Sequence, residues 1–138
     1  MRIVATLALA IGVVGAAFPA AGAATGRTGY SRAYDLCVAS AAAQTATRAM
    51  SGCIGDEVRR HDVRLNRAYQ AALGRLEFPR QKEALRRAQR AWIAFRDADC
   101  NSYSDADWGP SSGVDENACL LRRTAERADE LERYPLYN

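Results

Sequence analysis

Hydrophobic residues recur at intervals of three and four positions in three long segments of this chain, a spacing typical of amphipathic α-helices. The segments span residues 56–76, 79 to about 102, and about 114–133. Proline is favoured in the first turn of a helix, so Pro79 marks the beginning of the second helix. An alanine-rich stretch, residues 31–43, predicts one shorter helix before them.

The same pattern predicts the fold class. No segment alternates hydrophobic and polar residues as a β-strand would, and we therefore expect an all-α protein, a bundle of three or four helices on one core. Thr45 or Thr47 is expected to cap the helix that contains residues 56–76. Residues 104–117 are rich in glycine, proline, serine and aspartate, which predicts a loop. The length suits a single domain, assigned to residues 24–138.

Residues 1–23 are predicted to be a secretory signal peptide. Arg2 precedes an uncharged, mostly apolar run of 16 residues, 3–18, and the sequence Ala21-Gly22-Ala23 offers a cleavage site. A membrane-spanning helix needs about 20 residues, so the run is too short for an anchor. No cysteine directly follows it. The mature protein is therefore expected to be exported and soluble, without a lipid or transmembrane anchor.

Four cysteines follow this segment: Cys37, Cys53, Cys100 and Cys119. An even number of cysteines in a small exported protein indicates two disulfides. Three pairings are possible, and we favour Cys37 with Cys53 and Cys100 with Cys119, because each pair would join two consecutive helices. No C-x-x-C pair is present and His61 is the only histidine, so no metal site and no cofactor is predicted.

The second long helix carries polar side chains on its hydrophobic face. At about 100° per residue, one face contains Leu85, Gln89, Trp92, Arg96, Asp99 and Tyr103. A buried polar group without a partner costs about 1–3 kcal/mol, so Gln89 and Arg96 either hold the core in one arrangement or line a binding site. We favour the first, a structural network of Gln89, Trp92 and Arg96 with Asn66 of the preceding helix.

No arrangement of residues in the sequence indicates catalysis. His61 is interpreted as a solvated or partly packed side chain, because it stands among charged residues at the edge of a helix face. No serine or cysteine has the spacing of an activated nucleophile. Asp97 and Asp99 are two residues apart, and such residues do not face each other on a helix. The sequence therefore predicts a binding protein, not an enzyme.

Charge is distributed unevenly along the chain, whose formal net charge is +3. Residues 59–96 contain eleven basic and three acidic residues, whereas residues 97–119 contain six acidic residues and no basic one. The basic segment spreads over two helix faces and is interpreted first as solvated arginines. Its functional alternative is binding to a polyanion, with nucleic acid as an unlikely partner.

The acidic segment contains the candidate partner-binding residues. Trp108 stands beside a Gly-Pro turn, and the candidate set is Asp105, Asp107, Trp108, Ser111 and Ser112. An aromatic side chain in a charged, turn-rich loop suits a protein interface. The alternative is a loop bounded by a disulfide, with Trp108 folded back onto the core.

The sequence resembles the LprI-type lysozyme inhibitor family. The resemblance rests on the run from Gln89 to Cys100, QRAWIAFRDADC, and on positions elsewhere in the chain, namely Cys37, Cys53, Leu65, Asn66, Tyr69, Cys119, Thr124, Arg127 and Leu131. It implies a small, helical, exported domain, and some members of the family are described as lysozyme inhibitors. Lipoprotein members carry a lipidated cysteine after the signal, which this chain lacks. The Gly-Gly-Ser turn common before the fourth cysteine is replaced by Trp108-Gly109-Pro110-Ser111-Ser112-Gly113.

The sequence therefore leaves two alternative functions. The first is an inhibitor that binds lysozyme and blocks its cleft without catalysis, and the acidic loop favours it because many lysozymes are cationic. The second is a cell-envelope binding or structural module whose partner is a polyanion or another envelope protein, and the basic helices favour it. The predicted localisation is outside the cytoplasm: the periplasm, the cell envelope or the medium.

Overall fold

The computed structural model describes residues 29–135, which form helices joined by short turns and contain no β-strand. The predicted signal peptide, residues 1–23, lies outside the described residues and stays a prediction. Five α-helices and one 3₁₀ turn follow in chain order: α1 Arg32–Val38, α2 Ala41–Thr45, α3 Thr47–Arg75, α4 Pro79–Asn101, the 3₁₀ turn Ala106–Trp108, and α5 Ser112–Glu132. The all-α prediction is confirmed.

The three long helices form an up-down-up bundle. Near the beginning of α3 and α5, Asn117 Nδ2 donates to Ser51 Oγ over 2.7 Å. Near their ends, Arg75 Nη2 donates to the Leu131 carbonyl oxygen over 2.8 Å. These two contacts show that α3 and α5 run in the same direction, side by side. α4 runs in the opposite direction and packs mainly against α5.

The core lies where α3 and α5 meet the first half of α4. Small residues allow α3 and α5 to approach closely, whereas α4 contacts them through longer side chains such as Trp92. The buried members of this core are Leu65, Ala68, Ala72, Leu76, Leu85, Ala128 and Leu131. Burying a leucine side chain is worth about 1.5–3 kcal/mol, so the four leucines of this cluster stabilise the bundle substantially.

Two disulfides reinforce the bundle, and both predicted pairings are confirmed. Cys37 of α1 is bonded to Cys53 of α3, with a Cα–Cα distance of 5.7 Å. Cys100 at the end of α4 is bonded to Cys119 of α5, with a Cα–Cα distance of 5.4 Å. The second bond holds both ends of the loop that contains the candidate partner-binding residues.

Helix boundaries match the sequence prediction at Pro79 and differ at three other places. The predicted helix 31–43 is two helices, because Ser40 Oγ accepts from Ala43 N and begins α2. The predicted cap at Thr45 or Thr47 is wrong: Ala46 is the N-cap of α3, and Thr45 Oγ1 donates to the Ala41 carbonyl oxygen instead. The last helix begins two or three residues earlier than predicted, at residue 112.

Within residues 29–135, no helix combines the length and the apolar character that a bilayer crossing requires.

Candidate functional site

The loop between α4 and α5 is a compact turn held by local hydrogen bonds. The Asp105 side chain accepts from Asp107 N at 3.0 Å, which fixes the beginning of the 3₁₀ turn. Gly109 follows with a φ of +84°, a conformation that glycine adopts without a steric penalty. Ser111 Oγ then donates to Asp115 Oδ2 at 3.1 Å across the beginning of α5.

The candidate residues of this loop are displayed to solvent. Trp108 is 61% exposed, and its ring centroid lies 6.0 Å from that of Tyr103. Asp105 and Asp107 are exposed, and no ion pair among the described residues includes either carboxylate. Ser112 is half-buried, because it belongs to the first turn of α5. The indole is thus not folded into the core.

The acidic residues of the loop and the arginines in the first half of α4 lie at opposite ends of the bundle. We call residues 102–111 with the first turn of α5 the acidic pole. α4 has 23 residues and is therefore about 35 Å long. Exposed arginines lie in its first half, far from the pole: Arg80, Arg86, Arg87 and Arg90. The second half of α3 carries three more arginines, Arg64, Arg67 and Arg75.

A polar network joins all three long helices beneath Trp92. Arg96 Nη1 donates to Asp62 of α3 and to Thr124 of α5, both at 3.3 Å. Arg127 Nε of α5 donates to Gln89 Oε1 at 3.1 Å. Thr124 is fully buried and Gln89 is 4% exposed, so these bonds satisfy groups that water does not reach. The guanidinium groups of Arg96 and Arg127 lie 5.2 and 5.8 Å from the Trp92 ring centroid.

The structure brings together Gln89, Trp92 and Arg96 but not Asn66. Asn66 lies on the exposed side of α3, and no hydrogen bond among the described residues joins it to the other three. Its predicted place in the network is therefore wrong. Asp62 faces Arg96 instead, because α3 turns its buried face towards α5 and presents residue 62 at the border with α4.

A second buried polar cluster was missed in the sequence. Glu57 is 1% exposed, and its carboxylate accepts from Ser31 N at 2.7 Å and from Ser31 Oγ at 2.6 Å. Arg60 Nη1 donates to the same carboxylate at 2.8 Å. His61, 7% exposed, places Nε2 3.4 Å from Glu57 Oε1, and its ring packs edge-on against Tyr30. This cluster fastens the beginning of α1 to α3.

Serine, glutamate and histidine are the residue types of a hydrolase triad, but their order here does not suit catalysis. In a triad the histidine contacts the serine and the carboxylate orients the histidine. Here the Ser31 hydroxyl donates to Glu57 and accepts from Tyr34 N as the cap of α1. The hydroxyl is therefore not activated as a nucleophile.

One group of possible metal ligands lies at the disulfide of the acidic pole. Asp99 stands beside Cys100 and Cys119. Both sulfurs are bonded to each other and offer no thiolate. The carboxylate of Asp99, the third possible ligand, forms an ion pair with Arg123 Nη2 at 2.9 Å.

Residues 37–131 match the family model described as "Lysozyme inhibitor LprI", a span that includes both disulfides, the polar network and the acidic pole. The chain belongs to the LprI family of lysozyme inhibitors. No curated protein and no solved structure gives a significant match. The LprI match begins at Cys37, so Tyr30 and Ser31, which contact the Glu57 cluster, lie before it.

The Trp92 network of this LprI member is expected to serve stability, not binding. Replacing Arg96 with alanine removes the donor to buried Thr124 and the cation over Trp92, and each buried group left unpaired costs about 1–3 kcal/mol. We expect a loss of about 2 kcal/mol in the free energy of unfolding, measured by urea titration. Arg90→Ala is the control, because Arg90 is exposed and, within residues 29–135, forms an ion pair with Glu83 alone. Unchanged stability with lost partner binding would place Arg96 in a binding site.

Acidification is expected to destabilise the fold through His61. Burial lowers the pKa of His61 and outweighs the raising effect of Glu57, while Arg64 lowers it further and Asp129 raises it. The unfolded chain therefore binds the proton more readily than the folded protein does. The free energy of unfolding decreases as the pH is lowered below about 6.5. Melting temperatures between pH 7.5 and 5.5 should decline in the natural protein and decline less in His61→Gln. Equal slopes in the two proteins would assign the decline to other groups.

Glu57 extends this dependence to lower pH. Burial raises its pKa, but the hydrogen bonds from Ser31 and Arg60 together outweigh burial and hold the pKa below the ordinary carboxyl value. A lowered carboxyl pKa contributes stability above the unfolded value, about 4.3, and that stability is lost as the pH falls through the folded value. Both members of the cluster thus favour the neutral-pH form of the fold.

Proposed function

We propose that the chain is an exported lysozyme inhibitor that presents its acidic pole to a cationic lysozyme and blocks the cleft without catalysis. Membership of the LprI family supports the inhibitor role. The observation that carries the binding mode is the exposed Trp108 ring in the same loop as the carboxylates of Asp105 and Asp107, which pair with no cation among the described residues.

The arrangement of charge supports an encounter led by this pole. A cationic enzyme would be attracted to Asp105, Asp107 and Asp115 and repelled by the arginines of the other half, so the orientation of approach follows from the charge distribution. Pairing reduces part of that repulsion: Arg64 contacts both Asp129 and Glu132. Inhibition should accordingly weaken as the salt concentration rises.

Blocking needs only shape and hydrogen bonds. Lysozymes cleave glycosidic bonds with two carboxyl groups in an open cleft, so a protein that fills the cleft excludes the substrate. Trp108 would supply the large apolar contact at the centre of such an interface. Ser111 Oγ already donates to Asp115, so it would accept a hydrogen bond from the enzyme, and Ser112 would offer its hydroxyl beside it.

The test is a triple variant, Asp105→Ala, Asp107→Ala and Trp108→Ala. Inhibition of a cationic, hen-type lysozyme should weaken by tenfold or more, about 1.4 kcal/mol, because the acids and the anchor are both lost. Inhibition constants are measured from lysis rates of a wall suspension at two salt concentrations. Circular dichroism confirms that the variant keeps its helices.

The matched control removes the same chemistry from the other end of the bundle. Glu77→Ala, Phe78→Ala and Glu83→Ala together delete two acids and one aromatic ring, and Phe78 is as exposed as Trp108 at 61%. This control should inhibit normally. If both variants lose inhibition equally, or if neither loses it, the acidic pole is not the binding surface.

A polyanion-binding envelope module is the second candidate. It is favoured by the surface of α4, where Arg86, Arg87 and Arg90 lie within 3.6–3.8 Å of a single carboxylate, Glu83, and so retain a net positive charge. If the natural protein inhibits no lysozyme, this function takes precedence, and binding should be lost when the three arginines are replaced by glutamine.

A further inference from the structure

A cavity of about 560 Å³ lies beside the acidic pole. Its walls are the loop, the beginning of α5 and the segment that carries Tyr30 and Tyr34. Four aromatic side chains line it in two pairs. Tyr30 and Tyr34 pack edge to face with centroids 5.3 Å apart, and Tyr103 and Trp108 are tilted with centroids 6.0 Å apart. The other residues of the lining are Asp115, Ala118, Cys119, Leu121 and Arg122.

The cavity joins parts of the chain that are distant in sequence. The Glu57 cluster holds Ser31, and with it the adjacent Tyr30, against α3. The disulfide between Cys100 and Cys119 holds the wall that contains Tyr103 and Trp108. Contacts from distant parts of the chain thus position the two walls of this open cavity.

The charge around the cavity favours a cation. Asp115 lines it, and its carboxylate has no ion pair among the described residues and accepts one hydrogen bond from Ser111. Arg122 is the cationic residue of the lining, and it is paired with Glu126 at 3.7 Å on the next turn of α5. Aromatic faces attract cations electrostatically, and a carboxylate at the same place adds charge complementarity.

We propose that this cavity binds an arginine or lysine side chain of the protein partner. The inference deepens the proposed function, on which it rests, because it assigns the cationic partner a specific point of attachment next to Trp108. Tyr103 and Trp108 would stack against the guanidinium or ammonium group, and Asp115 would accept a hydrogen bond from it. The disulfide and Leu121 would contact the aliphatic part of the side chain.

The first experiment uses a peptide in place of the whole partner. Trp108 fluorescence is titrated with an acetylated tetra-arginine amide and, as a matched probe, with the tetra-citrulline peptide, which has the same shape without charge. The Trp108→Phe variant serves as the control, because its remaining tryptophan emission comes from Trp92. The tetra-arginine peptide should change the Trp108 emission, and the tetra-citrulline peptide should bind at least tenfold more weakly. Equal binding of the two peptides would overturn the proposal.

Two variants separate the cavity from the general acidity of the pole. Asp115→Asn keeps the hydrogen bond with Ser111 and removes the charge of the lining, whereas Glu116→Gln removes the neighbouring charge outside the lining. Asp115→Asn and Tyr103→Leu should each weaken tetra-arginine binding by about tenfold, and Glu116→Gln by less than threefold. If Asp115→Asn and Glu116→Gln weaken binding equally, the peptide senses only long-range charge and the cavity is not the site.

Lysozyme inhibition is measured separately on the same proteins. If the natural protein binds tetra-arginine with these variant effects but inhibits no lysozyme, the proposed function fails and the cavity stands for another cationic partner. If the natural protein inhibits lysozyme while Asp115→Asn and Tyr103→Leu change neither assay, the cavity assignment fails and the inhibitor function stands.

Discussion

Replacing Cys100 and Cys119 together with alanine should lower the free energy of unfolding by about 3 kcal/mol and abolish measurable lysozyme inhibition. The disulfide closes a loop across 19 positions of the chain, and in the chain-entropy description a closure of this size is worth about 3 kcal/mol. It also fixes both ends of the acidic pole. Without it, Tyr103, Trp108 and Asp115 are no longer held in one arrangement, so binding must first order the loop.

The matched control is the other disulfide. Cys37→Ala with Cys53→Ala opens a bond across 16 positions and should cost similar stability, but it leaves the Cys100–Cys119 bond and the loop intact. Unfolding is followed by urea titration, and inhibition is assayed at a temperature where both variants are folded. A Cys37/Cys53 variant that loses inhibition as completely as the Cys100/Cys119 variant would show that loop order is not the cause.

The local structure of this protein follows from its sequence because its signals are local. Pro79 begins α4, and the Gln81 side chain accepts from Phe78 N to complete the helix start, as the sequence order suggests. The two pairs of bonded cysteines are also local, because their members are 16 and 19 positions apart along the chain. The acidic pole is likewise visible in the sequence, because the segment that contains it, residues 97–119, has six acidic residues and no basic one.

The pairing of helices could not be predicted, and the errors come from it. An apolar stripe shows which side of a helix is buried but not which helix covers it. The sequence prediction places Asn66 in the Trp92 network because it pairs α3 with α4 along that network. The network contains Asp62, Thr124 and Arg127 instead, because α5 packs against both α3 and α4.

Glu57 was missed for a related reason. Its carboxylate is bound by Ser31, which is 26 residues away in a segment with no long-range sequence signal. One signal was available: Cys53, Glu57, His61 and Leu65 recur every fourth residue, on one face of α3. A charged residue within such a stripe predicts a buried, paired carboxylate.

The second large effect is therefore expected at Glu57. Glu57→Ala should lower the free energy of unfolding by about 3 kcal/mol, because it leaves Ser31 N and His61 Nε2 unpaired in a buried place and creates a cavity. Total stabilities of small domains are about 5–15 kcal/mol, so this loss is a large share. It should also release the turn of Tyr30 and Ser31, which hydrogen exchange at the beginning of α1 would report.

Two variants give this prediction its controls. Asp56→Ala removes an adjacent, exposed carboxylate whose one ion pair among the described residues is with Arg59. Exposed pairs contribute about 0–1 kcal/mol, so the stability of this variant should change little. Glu57→Gln keeps an oxygen that accepts from Ser31 N and should recover part of the loss. Urea titration orders the proteins as natural, Asp56→Ala, Glu57→Gln and Glu57→Ala. A Glu57→Ala protein as stable as Asp56→Ala would mean that the carboxylate does not fasten α1 to α3, and hydrogen exchange at Ser31 and Tyr34 would then be the same in both variants.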